Sequence, residues 1–341
     1  MMRVVQAMAG GEVGGAEAFF VRLVTALAET DVEQAAIIRS HPDRAEALAR
    51  VGIATRQLRF GGRLDIRSRL DYRRALREAD PDIVMTWMKR ASGLCPSGRF
   101  VQIGRLGGFY DLKYYRRCGH LVGNTRGIVD HITAQGWPAK RAHMISNFVD
   151  TSFAVPMARA ELDTPDDVPL MVALGRLHPN KAFDVLIEAM VDVPEAWLWL
   201  AGNGPLDLHL KHHAADRGVE NRIRFLGWRD DTAALLEAAD LLVCPSRHEP
   251  LGNVILEAWA RRVPVVAAAS QGPSELIIDG DTGLLADVDD AYGLARRIRD
   301  ALADREGMAA MAERGLAAYE ARFSQTAIVA QFRDLFEQVL R

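Results

Sequence analysis

The chain repeats one pattern from end to end, and that repetition leaves few folds open to it. A short run of buried-type residues is followed by a turn rich in glycine, proline or asparagine. A segment with apolar residues at helical spacing comes next. The runs fall at 2–8, 34–38, 55–58, 82–86, 100–103, 121–122 and 144–145, and resume at 170–173, 197–201, 223–226, 239–246 and 263–267. Strands alternating with helices predict parallel sheets with helices on both faces. The pattern breaks at 151–168, where Pro156 and Pro165 stand among Glu161, Asp163, Asp166 and Asp167. Such a stretch reads as a linker, and 341 residues suit two domains. The expected fold is α/β, with doubly wound domains over 1–150 and 169–322 and a closing helix over 323–341.

Open sheets of this kind bind ligands beyond the carboxyl ends of their strands, so the turns after the strands hold the functional candidates. The richest is Arg247-His248-Glu249-Pro250-Leu251-Gly252-Asn253-Val254-Ile255-Leu256-Glu257. It follows a strand ending at Pro245, and Pro250 and Gly252 turn it into a helix. Free N–H groups at a helix start suit phosphate. Glu249 in the loop and Glu257 inside the helix are two acceptors eight positions apart, suited to hydroxyls. A ligand with both phosphates and hydroxyls is a nucleotide sugar. The plainer account is a loop acid plus a helix-surface acid, a spacing common by chance. A second turn, Gly175-Arg176-Leu177-His178-Pro179-Asn180-Lys181, brings a guanidinium and an ammonium to the end of one strand. Both groups grip phosphate; the plainer account is two solvated cations.

Glycine marks two more turns. Ala9-Gly10-Gly11-Glu12-Val13-Gly14-Gly15-Ala16-Glu17 opens the first helix, and its glycines let backbone approach a ligand. It lacks glycines at i, i+2 and i+5, so no dinucleotide fingerprint is present. The other turn is Gly202-Asn203-Gly204-Pro205. Asn124 is the expected N-cap of the helix that follows it.

Net charge of −3 hides an asymmetry: residues 1–150 carry +8 and residues 151–341 carry −11. A basic first half suggests an acidic partner for that half alone. Arg56, Arg59, Arg63, Arg67, Arg69, Arg73, Arg74 and Arg77 interleave with Leu64, Ile66, Leu70, Tyr72 and Leu76. This stretch fits a solvated basic helix or an anionic lipid surface. Phe109-Tyr110-Asp111-Leu112-Lys113-Tyr114-Tyr115-Arg116-Arg117 fits an ordinary packed helix or a membrane interface equally well. No nucleic-acid module is recognisable, and the whole chain is acidic, so nucleic acid is not an expected partner. Cys95, Cys118 and Cys244 form neither a zinc nor a disulfide pattern, which reads as a reducing cytoplasm. No run of 18 apolar residues spans a membrane, and the start lacks a signal-peptide apolar region.

Taken together, these motifs resemble family 4 retaining glycosyltransferases, which have the GT-B fold. The resemblance covers nearly the whole chain and is strongest over 170–285. It implies two Rossmann-like domains with the donor in the cleft between them, and a last helix that crosses back to the first domain. It implies that Glu249 approaches the donor sugar and Glu257 the ribose, within a Glu-x7-Glu motif that also brings Leu251, Gly252 and Asn253 to the donor. Arg176 and Lys181 then hold the diphosphate, with Gly14 and Gly15 beside it. Gly202 and Gly204 lie close to the nucleotide, and Trp228 or Arg229 borders the base. No cofactor or metal is needed, because two cations and a helix start can stabilise a departing diphosphate. A UDP-sugar is the favoured donor, with GDP-mannose as the other choice. The chain departs from the family where a histidine usually follows the strand at 100–103. Arg105 stands there, a candidate for an acidic acceptor group or a donor oxygen. Tyr110, Lys113, Arg116 and Arg117 are the other acceptor-side candidates. The expected acceptor is a glycan or glycolipid of the bacterial envelope, such as lipopolysaccharide core, met at the inner face of the cytoplasmic membrane. Three rivals stand beside this reading: a GT-B nucleotide-sugar epimerase, a catalytically silent donor-binding or membrane scaffold, and, last, a dinucleotide oxidoreductase.

Overall fold

The structure is a computed structural model that describes residues 2–12, 14–61 and 65–341. Arg63 and Leu64 of the arginine-rich stretch, and Val13 of the first glycine loop, lie outside the described residues. The chain divides into two compact units, Met1–Phe148 with Ser324–Arg341, and Val149–Phe323. Unit 1 begins β1 (Met2–Met8), α1 (Gly15–Ala28), β2 (Val32–Arg39), α2 (Pro42–Arg50), β3 (Ala54–Leu58), α3 (Ile66–Ala79) and β4 (Ile83–Trp87). It continues with α4 (Met88–Leu94), β5 (Val101–Leu106), β6 (His120–Gly123), α5 (Arg126–Ala134) and β7 (Ala142–Met144). Unit 2 begins β8 (Leu170–Leu174), α6 (Phe183–Ala189), β9 (Trp197–Ala201), α7 (Asp207–Asp216), β10 (Ile223–Gly227) and α8 (Thr232–Glu237). After these come β11 (Leu241–Cys244), α9 (Asn253–Trp259), β12 (Val265–Ala268), α10 (Gln271–Leu276), β13 (Leu284–Ala286), α11 (Ala291–Ala303) and α12 (Arg305–Phe323). The last helix, α13 (Gln325–Leu340), belongs to unit 1.

Among the described residues each unit holds one parallel sheet, ordered β3-β2-β1-β4-β5-β6-β7 and β10-β9-β8-β11-β12-β13. β4 and β8 are buried at every position, as strands covered on both faces must be. The strand order reverses beside β1 in one sheet and between β8 and β11 in the other. Those reversals are where an open sheet leaves a crevice for a ligand.

Two sequence expectations are corrected here. The stretch 151–168 is fastened to unit 2. Arg159 donates to the Val168 carbonyl at 2.7 Å and pairs with Asp240 at 2.9 Å. The Trp199 indole donates to the Thr164 hydroxyl at 2.8 Å. The chain passes between the units at Phe148–Val149. Thr125, not Asn124, caps α5, because its hydroxyl accepts from the Ile128 N–H at 3.2 Å while its own backbone is still extended.

Arg105 is also corrected. It lies on β5, only 4% exposed, in the core of unit 1, so its side chain is not presented at the surface. Its guanidinium stands 5.4 Å from the Phe19 ring centre, 5.9 Å from Trp87 and 5.8 Å from Phe332 of α13. One nitrogen donates to Asn147 Oδ1 at 2.7 Å and to the Ser146 carbonyl at 3.4 Å. Burial pulls its pKa down to about 9, and a guanidinium at that value keeps its proton at neutral pH. Arg105 therefore ties β5 both to the segment by which the chain leaves unit 1 and to the helix by which it returns. Among the described residues no carboxylate pairs with it, so its packing outweighs its charge in the balance. Arg105→Ala is expected to cost about 2–4 kcal/mol in urea unfolding through lost packing on three rings. Arg105→Met, which keeps the stem, is expected to stay within about 1 kcal/mol of the parent. Equal losses in both variants would assign the stability to the Asn147 bond instead.

Candidate active site

On one side of the reversal in the second sheet, the loop ends after β8, β9 and β10 are laced together by backbone. Gly175 N–H donates to Ala201, Leu177 N–H to Asn203 and Gly202 N–H to Gly227, at 3.0, 3.0 and 2.7 Å. A Cβ on Gly202 would fall 1.8 Å from the Gly175 carbonyl oxygen, and one on Gly204 would fall 2.2 Å from that of Leu177. These two glycines let the loop after β9 lie directly on the loop after β8. The sequence expects them beside a nucleotide, and their first task is this contact.

Lys181 and Arg176 leave the end of β8, and Glu249 leaves the end of the adjacent β11. Lys181 Nζ pairs directly with Glu249 Oε2, which also accepts from the Ser246 hydroxyl at 3.4 Å. The lysine stem passes over Gly175, where a Cβ would come within 3.2 Å of it. Burial works to lower the Lys181 pKa, but Glu249 and then Glu257 outweigh it and raise it above the usual lysine value. Lys181 therefore carries its charge at neutral pH with two carboxylates near it. Arg176 is exposed and, among the described residues, its side chain has no hydrogen-bond or ion-pair partner. Ala182, where the family pattern has glycine, takes the left-handed backbone with φ 52°. Alanine in that region costs about 1 kcal/mol, which explains the glycine preference.

Sequence alone does not single out what holds this pair in place. Arg247 forks onto Asp184 of α6 at 2.9 and 2.6 Å, donates to the Pro179 carbonyl at 2.9 Å and pairs with Asp289. The His248 N–H donates to the Asn180 carbonyl at 3.1 Å. The two catalytic-candidate loops are thus joined on both sides of Lys181 and Glu249. From behind, Gly272 of α10 presses on the Glu249 and Leu251 carbonyls, its N–H donating to Glu249 at 2.7 Å. Leu251 is buried in the unit 2 core, so its side chain is not presented to a ligand. Gly252 turns into α9 with φ 95°, and Asn253 is the first residue of that helix. Glu257 lies half-buried on the same helix. Trp228 is 60% exposed after β10. Arg229 forks onto Asp231 at 2.7 and 2.5 Å, so its guanidinium is already engaged.

In unit 1 the glycine loop closes around Glu17, a residue the sequence reading assigns no role. Its Oε1 accepts from the Gly11 N–H at 2.7 Å, and a Cβ on Gly14 would fall 2.5 Å from Oε2. Arg44 donates to the Gly11 and Glu12 carbonyls at 3.1 and 3.3 Å. Gly15 starts α1. The 109–117 segment forms a single 3-10 turn over Leu112–Tyr114, not a helix, because Leu112 and Tyr115 both turn into the core. Tyr110 is half-buried, and burial, then Glu17, pushes its pKa up. Lys113 pairs with Asp111 at 2.7 Å, Arg116 is exposed, and Arg117 donates to the Cys95 carbonyl at 3.2 Å. Asp-x-Asp triplets occur at Asp80-Pro81-Asp82, Asp279-Gly280-Asp281 and Asp287-Val288-Asp289. Asp80 and Asp82 pair with Arg3, Asp279 with Arg297, Asp281 with Arg314 and Asp289 with Arg247. Among the described residues no group of three or more His, Cys, Asp or Glu side chains is placed to hold a metal ion.

Burial works to raise the Asp184 carboxyl, but Arg247 holds it below the usual carboxylate range. The stability from this pair is therefore present at neutral pH and lost as pH falls through that lowered value. Arg247→Ala is expected to cost about 1–2 kcal/mol, since the pair is about one third exposed. It is also expected to speed amide exchange at His248. Unchanged exchange there would show that the loops hold together without the clamp.

Known proteins resemble this chain along its whole length. The glycosyltransferase family 4 pattern matches residues 13–153, and the pattern for glycosyl transferases group 1 matches residues 156–317. The chain is 43% identical to the lipopolysaccharide core biosynthesis glycosyltransferase LpsE of Rhizobium meliloti, over 95% of this chain and 96% of that protein. It is 38% identical to LpsD of the same organism, over 96% of both chains. The crystal structure of Anabaena HepE in complex with UDP superposes with a TM-score of 0.87 at 21% identity, covering 99% of this chain and all of that one. With these matches across both units, the chain belongs to the family 4 glycosyltransferases and is a glycosyltransferase of the GT-B fold.

Proposed function

We propose that the protein moves a sugar from a nucleoside diphosphate sugar to a glycan or lipid-linked acceptor of the lipopolysaccharide core, with retention at the anomeric carbon. The observation that carries this reading is the Lys181–Glu249 pair at the sheet reversal, with Arg176 unengaged beside it. When the bond from the sugar to the diphosphate breaks, negative charge collects on the departing phosphate. Lys181 and Arg176 meet that charge, and a preorganised cation is worth most there. Glu249 holds the ammonium in place and offers its remaining acceptor capacity to the sugar hydroxyls. Glu257 takes the ribose, and Trp228 offers a face to the base. The acceptor oxygen arrives on the face that the leaving group vacates.

Two relatives support the pathway: LpsE and LpsD are named for lipopolysaccharide core biosynthesis. UDP in the HepE complex supports a uridine donor over GDP-mannose. No described helix is long and apolar enough to cross a membrane. The reading places the enzyme in the cytoplasm, with the basic unit 1 against an anionic membrane that holds the acceptor. Lys113, Arg116 and Arg117 are the acceptor-side candidates exposed on unit 1, and Tyr110 is half-buried beside them.

Thermal shift with UDP, GDP and ADP is expected to show stabilisation by UDP, lost in Glu257→Ala and in Lys181→Ala. With donor and acceptor supplied, Lys181→Ala is expected to lower turnover about 10²–10³-fold while the fold persists. A parent-like rate in that variant would remove Lys181 from the chemistry.

A further inference from the structure

We propose that a cavity at the amino edge of the unit 1 sheet, bounded by Arg117, His120 and Arg141, is a binding site for a soluble phosphate ester. The cavity has a volume of about 380 Å³ and lies where β5 and β6 begin, with Val339 of α13 in its wall.

Its charges are all of one sign. Arg117 comes from the segment ahead of β6, and Arg141 ends the turn Ala139–Arg141 that leads into β7. Both are exposed. Among the described residues the Arg141 side chain has no hydrogen-bond or ion-pair partner. Arg117 spends one of its five N–H donors on the Cys95 carbonyl at 3.2 Å. No Asp or Glu lines the cavity among the described residues. Two guanidinium groups around one concavity, with no acid between them, repel each other until an anion arrives. Each can fork onto phosphate oxygens.

A histidine pair adds a neutral donor. His120 Nδ1 lies 2.9 Å from His143 Nε2, so the His120 ring is held from one side and, among the described residues, its Nε2 is left free. Burial, then Arg141, lowers the His120 pKa, and burial takes His143 down to about 4. The pair is therefore uncharged at neutral pH and adds no repulsion to that of the arginines. When His143 Nε2 donates to Nδ1, His120 Nε2 carries an N–H for a phosphate oxygen. Two imidazoles this close also suit a metal, but the surroundings do not. No third His, Cys, Asp or Glu joins them among the described residues, and the charge of Arg141 disfavours a cation beside it.

The walls and the position narrow the ligand. Phe100, Val101 and Val339 are half-buried and pack against the unit 1 core. Among the described residues, none that lines the cavity is a large apolar side chain standing out in solvent, as entry into a lipid layer would need. Ligand cavities begin at roughly 300 Å³, so this one suits a phosphate on a body of about monosaccharide size. The glycine loop follows the carboxyl end of β1, and the cavity lies at the amino ends of β5 and β6 in the same parallel sheet. It is therefore on the edge opposite the unit 1 donor-site candidates, and the inference does not rest on the donor reading. A ligand here touches β5, β6 and the last turn of α13 together, and so fastens the returning helix to the sheet.

Amide spectra of the full chain during titration with glucose 6-phosphate test it, against glucose, with ionic strength matched by chloride. Saturable shifts at Gly98, Gly119 and Val339 are expected with glucose 6-phosphate and none with glucose. Arg117→Gln and Arg141→Gln are each expected to weaken binding about tenfold, and His120→Phe about three-fold. Arg99→Gln removes an exposed charge from the same loop outside the cavity and is expected to change binding less than about two-fold. Equal effects of Arg99→Gln and Arg141→Gln would overturn the site in favour of a diffuse basic surface. Equal shifts with glucose would remove the phosphate from the recognition. Shifts confined to Gly175–Lys181 would place the ester in unit 2, and the absence of saturable shifts at Gly98, Gly119 and Val339 would leave no site at this edge.

Discussion

The ion pair between Lys181 and Glu249 is the interaction around which unit 2 is arranged. It joins the ends of two adjacent strands whose helices leave in opposite directions. A cation and an anion that close, screened by the loops around them, hold both side chains in one geometry before any ligand arrives. Their neighbours are fitted to that end. Gly175 makes room for the lysine stem, Gly272 supports the glutamate backbone, and Arg247 joins the two loops through Asp184. The pair also gives the proposed donor site capacity for a ligand that carries both charge and hydroxyls. Each partner has capacity left after it has met the other: an ammonium has three donors and a carboxylate about four lone pairs.

Unit 1 is organised by a different physical problem, that of keeping two separate pieces of chain in one core. Residues 2–148 form the sheet, and α13 reaches it only after the whole of unit 2 has been made. Phe332 and Phe336 of α13 pack among the residues that β1, α1 and β4 bury. Arg105 stands where these pieces meet and holds Asn147 as well. The result is that both passages of the chain between units are anchored in the same few ångströms of unit 1. An arginine suits this place better than a smaller cation, since its flat face stacks on rings and its edge still donates.

How much of this was legible in the sequence differs by residue. The strand and helix alternation, the loop at 247–257 and the cations at 176 and 181 follow from patterns within a few residues of each other, and those patterns locate the site. Arg105 shows the limit. Its position at a strand end reads as ligand-facing, but whether a strand-end side chain turns outward or inward depends on what covers it. The cover is α13, more than 200 residues later. Gly202 and Gly204 show the same limit in milder form. Glycine announces a close approach, while its partner, the 175–177 loop, is known only once β8 and β9 are neighbours. Arg247 carries no sequence signal at all beyond its place beside Glu249.

The sequence by itself determined the fold class, the strand ends at which the candidate residues stand, and the charge those residues carry. Backbone propensity and hydrophobic period act locally, so they survive without knowledge of the rest of the chain. Tertiary structure alone decided which charges are spent and which are free. Arg229 is engaged by Asp231 and Arg67 by Asp71, while Arg176 and Arg141 are left for other partners. An arginine reads the same in a sequence whatever stands opposite it, and its availability is set only when folding brings an acid within reach or fails to.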